Sequence, residues 1–271
     1  MKITVVTVSF RAAGTLPTAL ESVWRQRTEG LEIEHIVVDG GSQDGTVALL
    51  RAHARRVAGT PGFSFSWTSQ PDRGLYDAMN KGIARATGDI VGILNADDVF
   101  TDDTGLARLA GAFSDPQVDA AYADIRFVRG ADATTLEAIR AQPTVRYYSS
   151  RRWRPWMHNW GFMPAHPTVY IRRRHFASLG LYRLGYRISA DFELMVRHLC
   201  RGRLRAVYVP LCLVTMRTGG VSTRNWKANV RLNCENVRAN RENGYFSCFP
   251  MMLPKYCFKI WGFVFRRRKN A

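Results

Sequence analysis

Four short apolar runs in the first hundred residues, each closed by a polar cluster and each followed by an amphipathic stretch of helix length, constrain this chain more than any other feature. Residues 2–9, 33–39, 63–68 and the apolar first half of 90–99 read as strands, being brief, rich in β-branched or aromatic side chains and bounded by Gly, Pro, Asp or Ser. Residues 15–27 put Leu16, Ala19, Leu20, Val23 and Trp24 on one helical face, with Pro17 in the first turn, where proline is tolerated. Residues 45–57 and 74–86 supply two more helices. Such alternation specifies an α/β fold around a mostly parallel sheet.

In an open α/β sheet ligands sit beyond the carboxyl ends of the strands, so the residues there carry the chemical information. Ser9 and Phe10 close the first strand, Asp39-Gly40-Gly41-Ser42 the second, Gln70-Pro71-Asp72-Arg73-Gly74 the third and Asn95-Ala96-Asp97-Asp98 the fourth. Asp and Asn are ordinary turn residues, yet Asp recurs at three successive ends. Carboxylates there suit a nucleotide: they accept hydrogen bonds from sugar hydroxyls or a base N–H, and one or two of them can hold Mg²⁺ or Mn²⁺ against phosphate oxygens. No G-x-x-x-x-G-K-[ST] loop and no G-x-G-x-x-G follows the first strand, which leaves ATPase and dinucleotide readings without their motifs.

The second half differs in charge. Residues 1–140 hold 14 Lys and Arg against 18 Asp and Glu, whereas residues 141–271 hold 25 against four, within a net charge of +17. That asymmetry suits a polyanionic partner: nucleic acid, an anionic membrane face or a pyrophosphate-bearing substrate. The aromatics and arginines follow no recognisable nucleic-acid-binding motif, which argues against nucleic acid. Five cysteines without a Cys-x-x-Cys pair suggest a reducing cytoplasm, and the N-terminus reads as a strand, without a leader's cleavage site. Residues 120–128, 167–171 and 204–209 read as extended and 190–200 as a helix, while the Trp- and Arg-rich stretch 147–160 fits neither period and suits either a membrane border or the shaping of an acceptor site.

Beyond Trp226 the chain reads as an appendage. From Pro254, residues Cys257, Ile260, Trp261, Val264 and Phe265 share one helical face, with Lys255, Lys259 and Arg266 on another and a basic run to Lys269. About twelve helical residues span ~18 Å, short of the ~30 Å hydrocarbon core. The segment can lie in the interface of an anionic membrane, dock on the rest of the chain, or join two copies into a homo-oligomer.

Val-Ser-Phe at residues 8–10, Asp-Gly-Gly-Ser-x-Asp-Gly-Thr at 39–46, Pro-Asp-Arg-Gly-Leu-Tyr-Asp-Ala-Met-Asn-Lys-Gly at 71–82 and Leu-Asn-Ala-Asp-Asp at 94–98 resemble the family 2 glycosyltransferases with the GT-A fold. The resemblance implies a catalytic domain over 1–225, split into a nucleotide-sugar half (1–140) and an acceptor half (141–225), followed by the appendage 226–271. It implies that Ser9, Asp39 and Asp72 contact the nucleoside, that Asn95 stands where Asp is commoner, and that Asp97 and Asp98 hold Mn²⁺ or Mg²⁺, with Asp97 favoured as the direct ligand. His166 and the glycines Gly219 and Gly220 resemble segments near the sugar diphosphate, and Arg73 either binds phosphate or caps its loop. Only Asp191, Glu193, Glu235 and Glu242 supply carboxylates after residue 140. Asp191, in a helical first turn behind a candidate Ser189 cap, resembles the family's catalytic base, whereas Glu193 points elsewhere.

The expectation is therefore an inverting, metal-dependent enzyme using a nucleoside diphosphate sugar, UDP favoured over GDP. The acceptor would be a polyprenyl-diphosphate-linked glycan of bacterial surface-polysaccharide assembly, at the inner face of the cytoplasmic membrane. A processive synthase is disfavoured, since the Gln-x-x-Arg-Trp motif and spanning helices are missing from the sequence. An inactive GT-A scaffold is the remaining rival.

Overall fold

The computed structural model describes residues 1–129, 133–218 and 226–255. Gly219, Gly220 and the helix expected over 256–271 lie outside the described residues.

β1 (Lys2–Ser9) forms the axis of the nucleotide half, because every residue in it after Lys2 is buried. It pairs in parallel with β2 (Glu32–Asp39) on one side and β4 (Ile90–Asn95) on the other, and β2 carries β3 (Phe63–Ser69). Alternate side chains feed two cores: Val6, Val8, Val91 and Ile93 enter one, Ile3, Val5, Ile90 and Leu94 the other. This two-sided burial explains why these strands read as continuous apolar runs. Three helices return between them: α1 (Leu16–Trp24), α2 (Thr46–Val57) and α3 (Leu75–Arg85). α3 lies close against β1, where Gly82 leaves the space that Val6 Cγ1 fills.

Several elements depart from the sequence expectation. α1 stops at Trp24 because tertiary contacts claim the next turn: the Gln26 amide donates to Asp102 O (2.6 Å) and accepts from Leu106 N (3.0 Å), and Arg25 pairs with Asp103 and Glu137. β4 ends at Asn95, where the polar second half of the 90–99 stretch begins, and Asp98 N–H turns back to Asn95 O (3.1 Å). β5 (Val99–Phe100) then pairs antiparallel with a later strand.

α4 (Gly105–Ala110) leads to β6 (Ala120–Val128), α5 (Leu136–Ala141) and β7 (Thr144–Tyr148), the last at the edge of the stretch that fitted neither period. A 3-10 turn at His166–Thr168 precedes β8 (Tyr170–Arg172) and α6 (Arg174–Leu179). α7 (Ala190–Met195) opens the expected 190–200 helix, which widens into a π-turn over Val196–Arg201. β9 (Ala206–Arg217) is twice the expected length, running through Pro210 because its pairing with β6 slips from Tyr122↔Tyr208 to Asp124↔Cys212. The bulge absorbs the residue that cannot donate to a ladder.

The sheet order is β3-β2-β1-β4-β8-β6-β9-β5, with β7 added against β6. It is largely parallel, with antiparallel pairs where β4 and β6 meet β8, β5 meets β9 and β6 meets β7. α8 (Trp226–Glu242) packs on α7, and its buried face is mostly polar: Asn240 exchanges hydrogen bonds with His158, and Asn243 beyond its end donates to Glu193. Among the described residues no helix is long and apolar enough to cross a membrane.

Candidate active site

The ends of β1 and β4 open on a cleft of about 1110 Å³ whose other walls come from β6, β7, residues 161–167, the loop before α7, and α8. Asn95, Asp97, His166 and Asp191, drawn from distant parts of the sequence, line this one space.

The remaining predicted residues build its surroundings. Asp39 is buried, and its carboxylate accepts from the hydroxyls of Ser9 (3.0 Å), Ser42 (2.6 Å) and Ser69 (2.7 Å) and from the N–H groups of Gly41 (3.1 Å) and Ser42 (2.8 Å). Burial works against its charge, but these hydrogen bonds outweigh it and hold the carboxyl below its ordinary range. With its lone pairs so committed, Asp39 shapes the loop after β2, and Ser9 is one of its clamps. Asp72 lies directly over that loop: a Cβ on Gly40 would stand 2.7 Å from its Oδ2 and 3.2 Å from the Phe10 ring. Phe10, 61% exposed, thus offers a flat face beside an available carboxylate. Arg73 does not enter the cleft; its exposed guanidinium pairs with Asp77 one turn on (3.2 Å).

The adjacent acids after β4 are placed differently. Asp97 is exposed on the cleft, whereas Asp98 is buried, takes the Asn95 amide on Oδ2 (3.1 Å) and has no partner for Oδ1. Desolvation, then the neighbouring charge of Asp97, pushes the Asp98 carboxyl well above its ordinary range. Asn95 Oδ1 and Arg217 Nε are likewise buried without partners. No group of three or more His, Cys, Asp or Glu is arranged for a metal among the described residues. The donor set that is present, all oxygen, with an orphaned buried carboxylate oxygen behind an exposed one, fits a hard cation that takes its other ligands from phosphate and water.

Asp191 lines the same cleft from the first turn of α7. Its Oδ1 accepts from Phe192 N–H (2.8 Å) and from the Tyr76 hydroxyl (3.4 Å). Desolvation raises its pKa, opposed by His166 and these hydrogen bonds. His166 is itself lowered by burial, and one ring nitrogen is engaged with the Tyr182 hydroxyl (2.7 Å), which places it between structural packing and the site. Tyr182 stacks on Tyr76, so α3, residue 166 and Asp191 form one connected group. Ser189, expected as the cap of α7, makes no side-chain cap bond; its hydroxyl turns to Leu232 O (3.4 Å).

The far wall draws partly on the stretch 147–160, expected to border a membrane surface or shape an acceptor site, and partly on residues that sequence reasoning passed over. β7 contributes Tyr147 and Tyr148, the first tied to buried Asp124 (2.8 Å) and the second to Met163 O (2.6 Å). Ile125, Phe127, Phe162, Met163 and Met216 complete an apolar surface. Tyr76 and Tyr148 stood in or beside motifs that were read; the apolar wall had no local signal, since it assembles from four separate segments.

Residues 4–176 match the sequence profile of glycosyl transferase family 2. The chain belongs to this family. An uncharacterized glycosyltransferase of Mycobacterium tuberculosis is 43% identical over 112 residues, 41% of this chain and 40% of that protein. A PGL/p-HBAD biosynthesis glycosyltransferase of Mycobacterium bovis is 26% identical over 224 residues, 80% of this chain and 78% of that protein. Among solved structures, the Pyrobaculum calidifontis mannosyltransferase PcManGT in complex with GDP-Man and Mn²⁺ superposes with a TM-score of 0.59 at 20% identity, covering 89% of this chain and 63% of that one. Staphylococcus aureus TarS residues 1–349 give 0.61 at 14% identity, covering 88% of this chain and 65% of that one. These likenesses are of fold, and the fold is the GT-A arrangement of a family 2 glycosyltransferase.

Proposed function

We propose that this family 2 protein transfers one sugar, with inversion, from a nucleoside diphosphate donor to an acceptor hydroxyl, with Asp191 as the general base. The observation that carries the reading is the convergence on one cleft of the acidic β4 end and the Asp191 carboxylate, which comes from a distant part of the chain. The nucleoside lies on the Phe10 face beside Asp72, over the loop that Asp39 and Ser9 organise. Asp97, backed by Asn95 and Asp98, holds Mn²⁺ or Mg²⁺, which when bound neutralises charge on the departing diphosphate. Asp191 takes the proton of the acceptor hydroxyl as its oxygen bonds to the anomeric carbon, while the bond from that carbon to the diphosphate oxygen breaks. His166 lines the same cleft, with buried Tyr182 held behind it by their hydrogen bond. The neighbours' titles name both GDP-Man and UDP-GlcNAc as ligands of those proteins, and either nucleotide suits an aromatic face with one carboxylate.

The apolar far wall, with Arg146 and Arg187 on the same cleft, suits an acceptor that joins a hydrophobic carrier to an anionic linkage, as in a polyprenyl-diphosphate-linked glycan. Peripheral attachment to an anionic membrane agrees with the adjoining surface. Trp156 and Phe246 are 62% and 77% exposed, on segments that pack together and also carry exposed Arg151, Arg152, Arg154 and Arg241.

The test is hydrolysis of a panel of UDP- and GDP-sugars with and without Mn²⁺. Turnover should require the metal and fall at least about a hundredfold in Asp191→Asn, the scale of a lost general base, with donor binding kept. Full activity in that variant would remove Asp191 from the role.

A further inference from the structure

Asp191 sits at the end of a loop that its own helix does not cap, since Ser189 turns away. The amides just before the helix are met from another element. Glu235, on α8, takes Arg187 N–H on Oε1 (3.1 Å) and both Ile188 N–H (2.9 Å) and Ser189 N–H (2.9 Å) on Oε2. Three consecutive amides thus converge on one carboxylate immediately before the turn that carries the base. From the opposite side the Tyr76 hydroxyl of α3 donates to Ile188 O at 2.5 Å. The loop is therefore gripped between the nucleotide half and α8, and the cleft-lining residues along it and just after it, Arg187, Ile188 and Asp191, take their position from that grip.

We infer that Glu235 is a positioning residue for sugar transfer, acting through residues 187–189 to hold the Asp191 carboxylate against the acceptor. The inference rests on the reading of Asp191 as the base. Hydrogen bonds from N–H groups to an ionised carboxylate are stronger than neutral ones, and a clamp of three leaves the loop little freedom to rotate. α8 is fixed in turn: Asn240 binds His158 through both its amide atoms, and Arg238 holds Glu242, which also accepts from Arg183 and Tyr186. The hydrogen bonds assigned to Glu235 all go to this loop. The acidic residue thus serves geometry rather than chemistry, and its place on α8 makes that helix part of the active site.

The experiment compares Glu235→Gln and Glu235→Ala with Asp191→Asn in the full chain, by metal-dependent donor hydrolysis and by amide hydrogen exchange. Because misplacing a reacting group by about 1 Å can cost about a hundredfold, Glu235→Ala should lose about tenfold or more in kcat at an unchanged donor KM. Glu235→Gln, which keeps one acceptor oxygen, should fall between it and the parent. Exchange should rise over residues 187–192 and stay as in the parent over β1–β4. Parental kcat in Glu235→Ala beside an inactive Asp191→Asn would overturn the inference alone, and so would a rise in exchange across the whole sheet with KM and kcat changing together. Parental turnover in Asp191→Asn would overturn the base and the clamp together.

Discussion

Asp97 and Asp191 are both carboxylates on one cleft, and their surroundings differ in the way the proposed division of work between them requires. Asp97 is exposed where a donor's phosphates and a cation would gather, and its neighbour Asp98 is withdrawn into the protein. Asp191 is desolvated, which raises its pKa above the ordinary value of about 3.9 for aspartate. A base works only when unprotonated, so activity should be complete above the raised value and disappear as pH falls through it. The acid limb of the kcat/KM profile is therefore expected above about pH 4. A profile still flat at pH 4, in a protein that remains folded, would contradict that environment. The roles of Asp39 and Asp97 were unequally legible. The strand-end position of each could be read from the chain, but whether a carboxylate faces solvent or is consumed by neighbouring serines depends on side-chain direction, which no spacing encodes.

At the scale of elements, the first four strands and three helices were readable because each satisfies its own period and is buried on the faces that period predicts. What escaped was decided by partners remote in sequence. β9 continues past a proline because β6 offers a bulge, and α1 ends early because Gln26 serves the turn at Asp102. The contact of α3 with β1 gives a direct test. Gly82→Ala gains about 1 kcal/mol of helix propensity, but the new Cβ meets buried Val6, and overpacking costs about 1–3 kcal/mol. The clash should win, because Val6 is fixed in the central strand. The urea midpoint is expected to fall with its slope unchanged, and a raised midpoint would show that α3 can shift away at little cost.

For the whole molecule, the charge asymmetry of the sequence becomes a division of surface. Exposed arginines gather around Trp156 and Phe246, near residues 161–164 of the cleft wall. The full chain should bind vesicles containing phosphatidylglycerol more tightly than pure phosphatidylcholine, and less tightly as salt is raised. Replacing Trp156, Phe246 and Phe249 together by Ser should weaken that binding at least about tenfold, given about 1.5–3 kcal/mol for each fully buried large apolar side chain. Unchanged binding by the triple variant would assign the lipid contact to another part of the chain.

The clamp between α8 and the Asp191 loop also bears on the order in which competence arises while the chain is being made. The wall proposed to hold the nucleotide is built from residues before 100, but the loop leading to the proposed base is not fully held until Glu235 is in place. Domains begin to form from the N-terminus during synthesis. Under the proposed function, a growing chain would thus acquire its grip on the donor well before it could use it, and α8 would act as the latch that turns a nucleotide-holding intermediate into a finished catalyst.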